Sequence, residues 1–277
     1  MARTPPRRTA PHSRVRTSWD PIADWYVGWV GEGGSKHHRN VAIPALLDLL
    51  EPRAGEQILD IGCGPGVLAP FVTKAGARYT GVDASEKLIR YAREHHGAGN
   101  RFLVGDARRL SALAGLDQGR FDAAVFLLSL HDMDPLDPVL ASAAWALREG
   151  GRVVMLMTHP CFRVPRQSGW GWDEERKLRY RRVDRYLTPL PVPMTARAES
   201  RGGVTRSFHR PLETYINGLA AAGLFVDGMR EVPTYKTASS GPRARAENLS
   251  NEEIPLFLVL RARKIPSSGS LEHLTGS

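Results

Sequence analysis

The residues best suited to chemistry in this sequence are acids that end apolar runs. Ile58-Leu59-Asp60-Ile61-Gly62-Cys63-Gly64-Pro65-Gly66 is such a run, meeting an acid and then a three-glycine turn. Glycines there let the backbone take positive φ and come close to a ligand. Tyr79-Thr80-Gly81-Val82-Asp83 also ends in an acid, and one carboxylate at that distance matches the two hydroxyls of a ribose. Val104-Gly105-Asp106-Ala107 repeats the pattern, and the apolar stretch after residue 121 runs into Leu130-His131-Asp132-Met133-Asp134. Three imidazoles follow later apolar runs or precede a helix: His131, His159 and His209. Imidazole accepts a proton near neutral pH, so each is a candidate general base.

The elements that must position these groups alternate. Residues 57–61, 78–82, 101–104, 121–128 and 152–157 read as buried parallel strands, because they are short, continuous and apolar on both faces. Residues 67–75, 86–95 and 136–148 have helical spacing; Ser85 is a ready N-cap and Gly97 a stop. Strand and helix repeated in this order predict right-handed crossovers and a doubly wound α/β sheet, with the acids at the carboxyl edge where open sheets bind ligands. A Pro- and aromatic-rich stretch at 159–208 breaks the rhythm and reads as a cap inserted after the fifth strand. A helix at 211–222 and strands at 224–230 and 256–263 resume the core, the two strands forming a wide hairpin. The polar connection 233–255 shows no apolar period. The expected organisation is a basic tail at 1–18, a ligand-binding core with lid helices at 19–158, the cap, the remaining core at 209–265 and a tail at 266–277. Both tails are too polar to pack.

A dinucleotide fingerprint would need glycine three residues after Gly64, where Val67 stands. The D-x-G-x-G-x-G spacing instead resembles the first motif of class I S-adenosylmethionine methyltransferases, and the resemblance extends over most of the chain. It implies a seven-stranded, mostly parallel sheet and S-adenosylmethionine as cofactor. It further implies that Gly62, Gly64 and Gly66 pass beneath the methionine part and that Asp60 organises the loop near the amino group. Asp83 and Ala84 would meet the ribose, Asp106 and Ala107 the adenine, and residues 126–131, with Leu127, the adenine and the methyl group. His131-Asp132-Met133-Asp134 is similar to the H-D-W-x-D segment of small-molecule O-methyltransferases, with Met133 for tryptophan and His131 for their catalytic base. The amino-group loop [DN]-P-P-[YF] is absent after Phe126. Cys161 stands where RNA cytosine-C5 enzymes carry a nucleophile, without the Pro-Cys segment those enzymes also need.

Trp170 and Trp172 in the cap, with Tyr26 near the N-terminus, suit a flat or apolar acceptor. The expected function is therefore methylation of a small metabolite, such as a natural-product intermediate, at oxygen. An RNA methyltransferase, a non-catalytic cofactor-binding protein and an NAD-dependent oxidoreductase are the alternatives. The net charge of +9 includes a basic cluster, Arg176, Lys177, Arg179, Arg181, Arg182 and Arg185, which either faces solvent or tracks phosphates. No metal-ligand spacing appears, and two cysteines, Cys63 and Cys161, allow one bridge at most. No apolar run of membrane length occurs and the first residues carry no apolar leader core, so a soluble, cytoplasmic protein is expected.

Overall fold

The computed structural model describes residues 17–195 and 204–266, so the expected tails fall almost wholly outside the described residues. Its centre is a seven-stranded sheet: β1 (Gln57–Ile61), β2 (Arg78–Asp83), β3 (Arg101–Val104), β4 (Phe121–Leu127), β5 (Leu147–Thr158), β10 (Leu224–Val232) and β11 (Phe257–Lys264). Two hairpins, β6 (Ser168–Asp173) with β7 (Leu178–Val183) and β8 (Leu190–Thr195) with β9 (Val204–His209), stand apart from it. The sheet order is β10-β11-β5-β4-β1-β2-β3, and only β11 runs against the direction of the other six. The order reverses beside β1, which pairs with both β2 and β4. Crossovers diverge to opposite faces at that point and leave a crevice outside the carboxyl ends of the strands.

Helices α2 (Ile43–Leu50), α3 (Ala69–Lys74) and α4 (Glu86–His96) pack on one face. Helices α5 (Leu136–Ala146) and α6 (Leu212–Ala221) pack on the other. Along β5, Val154 and Leu156 enter the first core while Val153, Met155 and Met157 enter the second. Covering both faces is why the strand reads as an unbroken apolar run. Ser85 caps α4, its Oγ accepting the Leu88 amide at 3.2 Å. The same hydroxyl donates to Asp20 at 2.5 Å, and Lys87 pairs with Asp24 at 3.0 Å, fastening α1 (Ala23–Val30) over the crevice. A π-helical turn at His38–Ala42 leads into α2.

Two regions hold elements that the apolar pattern does not announce. The 233–255 connection contains α7 (Ala244–Glu253), a polar helix with only Ala246 and Ser250 buried, too little to leave an apolar period. The cap is two β-hairpins, and the second extends through His209 to the start of α6. No helix among the described residues is long and apolar enough to cross a membrane.

Arg152, on β5, ties the strand to the chain below it. Its guanidinium donates to Glu56 at 2.7 and 2.8 Å and to the Leu50 and Glu51 carbonyls, and the two charged side chains are 9% and 14% exposed. Burial pushes the Glu56 carboxyl up, but the hydrogen bonds from Arg152 and the Arg53 amide outweigh it and hold it below its ordinary value. Arg152→Ala should cost about 3–5 kcal/mol at neutral pH, because it strands a buried carboxylate. A carboxylate with a lowered folded pKa stabilises above its unfolded value, so the gap from wild type should close as pH falls below 4.5. Urea unfolding across pH checks this; a small loss that does not vary with pH would mean that Arg152 acts by packing alone.

Candidate active site

A pocket of about 610 Å³ opens at the carboxyl ends of β1, β2, β3 and β4, under α1 and the His38 turn. Gly62, Gly64 and Gly66 all have positive φ, at 74°, 53° and 83°. A Cβ on Gly62 would stand 2.6 Å from both Ser129 Cβ and Met133 Cε, so only glycine lets the β1 turn lie against the loop after β4. Ser129 closes that contact, its Oγ donating to the Ile61 carbonyl at 2.7 Å. Leu128, the residue before it, is itself held at φ 56°, a conformation side chains seldom adopt away from functional turns.

The acids converge on this pocket. Asp83 Oδ2 accepts the Gly64 amide at 2.9 Å and Oδ1 the Ser85 amide at 2.8 Å. A carboxylate has about four lone-pair sites, so two remain for the hydroxyls of a ribose. Asp60 is 1% exposed; its Oδ2 accepts the Tyr79 hydroxyl at 2.7 Å, while Oδ1 is buried with no partner. Burial, reinforced by the charge of Asp83 and opposed by the Tyr79 hydrogen bond, pushes Asp60 up to about 7. An orphaned buried acceptor costs free energy until a donor arrives, and an ammonium is a suitable one. Asp106 also lines the pocket, though Arg108 already holds it through three contacts of 2.8–2.9 Å. The residues present therefore fit S-adenosylmethionine: Asp60 would hold its amino group, Asp83 and Ala84 its ribose, and Asp106 and Ala107 its adenine.

Of the residues expected at the cofactor, Asp60, Gly62, Gly64, Asp83, Ala84, Asp106, Ala107 and Leu127 line the pocket. Gly66 does not. It sits behind the turn, where a Cβ would press on Phe102 and Ala92 at 3.0 and 3.3 Å, so its role is to let the turn pack on β3 and α4. Tyr26 lines the pocket beside Trp19, with ring centroids 5.0 Å apart.

The expected catalytic histidines are not in the described pocket wall. His159 is 2% exposed and spent on structure: its Nδ1 accepts the Cys161 amide and its Nε2 donates to Glu231 at 2.9 Å. His209 is buried in the second hairpin with Nε2 on the Tyr186 carbonyl at 2.6 Å. His131 stands behind Asp132, 3.7 Å from its carboxylate. Trp170 and Trp172 also lie elsewhere, on the inward face of the β6–β7 hairpin, under Arg179 and Arg243 respectively. Cys161 donates to the Tyr186 hydroxyl at 3.4 Å, away from the pocket.

What the structure brings forward instead are Asp132, His38, Met133, Arg206 and Phe208. Asp132 is pushed up to about 6 by burial, with Asp83 adding to the shift and His131 opposing it. His38 is driven down to about 4, mainly by burial and also by His37. The Ser35 amide donates to its Nδ1 at 3.3 Å, so the neutral ring carries its proton on Nε2 and acts as a donor rather than a base. Asp132 was legible as a member of the His131-Asp132-Met133-Asp134 string; no sequence signal separates it from its neighbour.

Fold and site together define an α/β protein that binds a nucleoside at the switch point of its sheet. Residues 58–151 match the model of the family described as "Methyltransferase domain". A crystal structure of an S-adenosylmethionine dependent methyltransferase from Mesorhizobium loti is 30% identical, covering 79% of this chain and 96% of that one with a TM-score of 0.61. The chain belongs to the S-adenosylmethionine-dependent methyltransferases. It is also similar to the ubiquinone biosynthesis O-methyltransferase of Thiobacillus denitrificans, 31% identical over 135 residues, 49% of this chain and 55% of that protein. The chain thus spans about half the length of the curated relatives it matches. The fold alone is shared with the 1,6-didemethyltoxoflavin-N1-methyltransferase of Burkholderia thailandensis, 18% identical over 93% of both chains at a TM-score of 0.52.

Asp83→Ala should weaken S-adenosylmethionine and S-adenosylhomocysteine by about 1.5–3 kcal/mol, roughly tenfold to over a hundredfold. Calorimetric affinities unchanged in the folded variant would move the ribose away from Asp83. Because Asp60 must be ionised to accept an ammonium, wild-type affinity should fall as pH drops through about 7. Asp60→Asn should bind weakly and lose that slope; a wild-type affinity flat between pH 6 and 8 would sink the Asp60 assignment.

Proposed function

We propose that the protein transfers the methyl group of S-adenosylmethionine to a hydroxyl of a small molecule, with Asp132 as the group that takes the proton. The observation that carries this reading is the shape of the pocket. At about 610 Å³ it lies in the range of small-molecule sites, and one wall joins the glycine turn and the acids to Tyr26, Met133, Arg206 and Phe208. A cavity built from both halves favours an acceptor enclosed beside the cofactor over a macromolecule laid across the surface.

When bound, the cofactor supplies an electrophilic methyl on a sulfonium. What the chain must add is alignment, exclusion of water and a destination for the hydroxyl proton. Tyr26 and Trp19 cover the pocket from the lid, and Phe208 and Val204 enter it from the second hairpin. Asp132 is ionised at neutral pH with a pKa near 6 and is strong enough as a base to receive the proton as the oxygen is alkylated. His131 behind it stabilises that charge, making it a positioning residue in this scheme.

The RNA alternative draws on the outer face of the first hairpin, where Arg176, Arg182 and Arg185 are exposed. Transfer of labelled methyl into cell extract, separated into metabolite, RNA and protein fractions, distinguishes the readings. Label is expected in the low-molecular-mass fraction; label confined to RNA would overturn the proposal.

With the acceptor in hand, Asp132→Asn should keep cofactor affinity and lower kcat by about 10²–10⁴. Wild-type kcat should fall about tenfold per pH unit below about 6, and the variant should lose that acid limb. His131→Ala losing as much as Asp132→Asn, with rescue at high pH, would return the base to the imidazole.

A further inference from the structure

A second cleft, about 380 Å³, opens on the β5–β11 side of the same sheet rim. Four separate stretches of chain meet there: His37 from the lid, Arg163, Trp170 and Arg179 from the first hairpin region, Lys236 from the connection after β10, and Glu247 and Asn251 from α7. Strand periodicity explains the hairpin's part. Arg181 pairs with Trp170 and Arg179 with Trp172, so these four side chains share one face. That face is turned inward, while Tyr180 and Arg182 on the other are exposed. Only two arginines of the basic cluster, Arg179 and Arg181, therefore face the body of the protein.

The charge in this cleft is not balanced. Three guanidiniums crowd one indole, with Arg179, Arg163 and Arg181 at 3.9, 5.1 and 5.2 Å from the Trp170 ring centre. Arg163 is held by the Ile254 and Pro255 carbonyls, and Arg181 by the Phe162 carbonyl and Ser168. Among the described residues none of Arg163, Arg179, Arg181 and Lys236 forms an ion pair. The nearby hairpin acids are committed elsewhere: Glu174 to Lys177 and Arg243, Asp184 to Arg182, and Asp173 to the turn amides of Glu175 and Arg176. Glu247 is the one carboxylate in the described wall, facing His37, Arg163, Arg179 and Lys236. Burial is the main cause that drives Arg163 down to about 10, and repulsion from Arg181 and Arg179 adds to it. Like charges held together at fixed positions cost free energy that an anion recovers on arrival, and guanidiniums match phosphate geometry.

We propose that this cleft is a binding site for a phosphate-bearing anion, separate from the cofactor pocket. His37 lines the cleft and the next residue, His38, lines the cofactor pocket, so an anion in the cleft also bears on the lid segment. The phosphate is either free or carried on the far end of the acceptor; the chemistry of recognition is the same.

The test uses the full chain and inorganic pyrophosphate, titrated by calorimetry and by tryptophan fluorescence. Saturable binding is expected, weakened about tenfold or more in Arg179→Ala and in Lys236→Ala. Lys236 is exposed, so its variant guards against collapse of the hairpin. S-adenosylmethionine affinity without pyrophosphate should stay at the wild-type value in both variants, which separates failure here from failure of the methyltransferase reading. Competition between pyrophosphate and the acceptor would assign the phosphate to the acceptor; tighter cofactor binding without competition would assign it to a free anion. No saturable pyrophosphate binding, or binding unchanged in both variants, overturns the proposal. So does binding of single-stranded RNA alone with a steep salt dependence, since that would mark a nucleic-acid track.

Discussion

The hydrogen bond from the Gly64 amide to Asp83 is the contact on which the rest of this site depends. It fixes the glycine turn of β1 to the end of β2 at 2.9 Å, and the same carboxylate takes the Ser85 amide that starts α4. Everything nearby follows from keeping that turn tight. Gly62 must lack a Cβ so that Ser129 and Met133 can close over it, and Gly66 must lack one so that Phe102 can pack behind it. Asp60 is then left beneath the turn with one oxygen satisfied by Tyr79 and the other buried without a partner. A cationic, hydroxyl-rich ligand would repay the cost of that unpaired oxygen and of the raised carboxylates.

The cofactor half was legible in the sequence because it rests on backbone geometry. Apolar runs covered on both faces mark the strands, and acids at their ends must point to the carboxyl rim whatever the rest of the chain does. The acceptor half was not legible, because it depends on side-chain direction after the strands end. His131 and Asp132 are adjacent, and a single 3₁₀ turn at Leu130–Asp132 decides that the carboxylate rather than the imidazole enters the wall. His159 sits at the expected rim, yet Glu231 on the reversed edge hairpin captures it, a pairing 72 residues away in sequence. Trp170 and Trp172, expected at the acceptor, lie on the inward face of the first hairpin, outside the wall of the cofactor pocket. Polar helix α7 covers that face, with Arg243 stacked on Trp172 at 4.4 Å, and its sequence carries no apolar stripe to announce it.

Lid and cap share one strategy. The lid is pinned by polar contacts, Asp20 to Ser85 and Asp24 to Lys87, while aromatic rings supply its inner surface. The second hairpin sends alternate residues, Val204, Arg206 and Phe208, toward the pocket, as strand periodicity requires. Helix α1 buries only Ala23 and Val30, whereas β9 buries Thr205, Ser207 and His209, so the lid is the covering better able to open for exchange of ligands while the sheet stays rigid.

A crystal structure with S-adenosylhomocysteine tests this account most directly. The ribose hydroxyls are expected on Asp83, the amino group on Asp60 Oδ1, and the sulfur turned toward the wall that Asp132, Met133 and Phe208 share. An amino group bound away from Asp60, or a sulfur turned toward the Trp170 cleft with Asp132 behind the adenine, would contradict it.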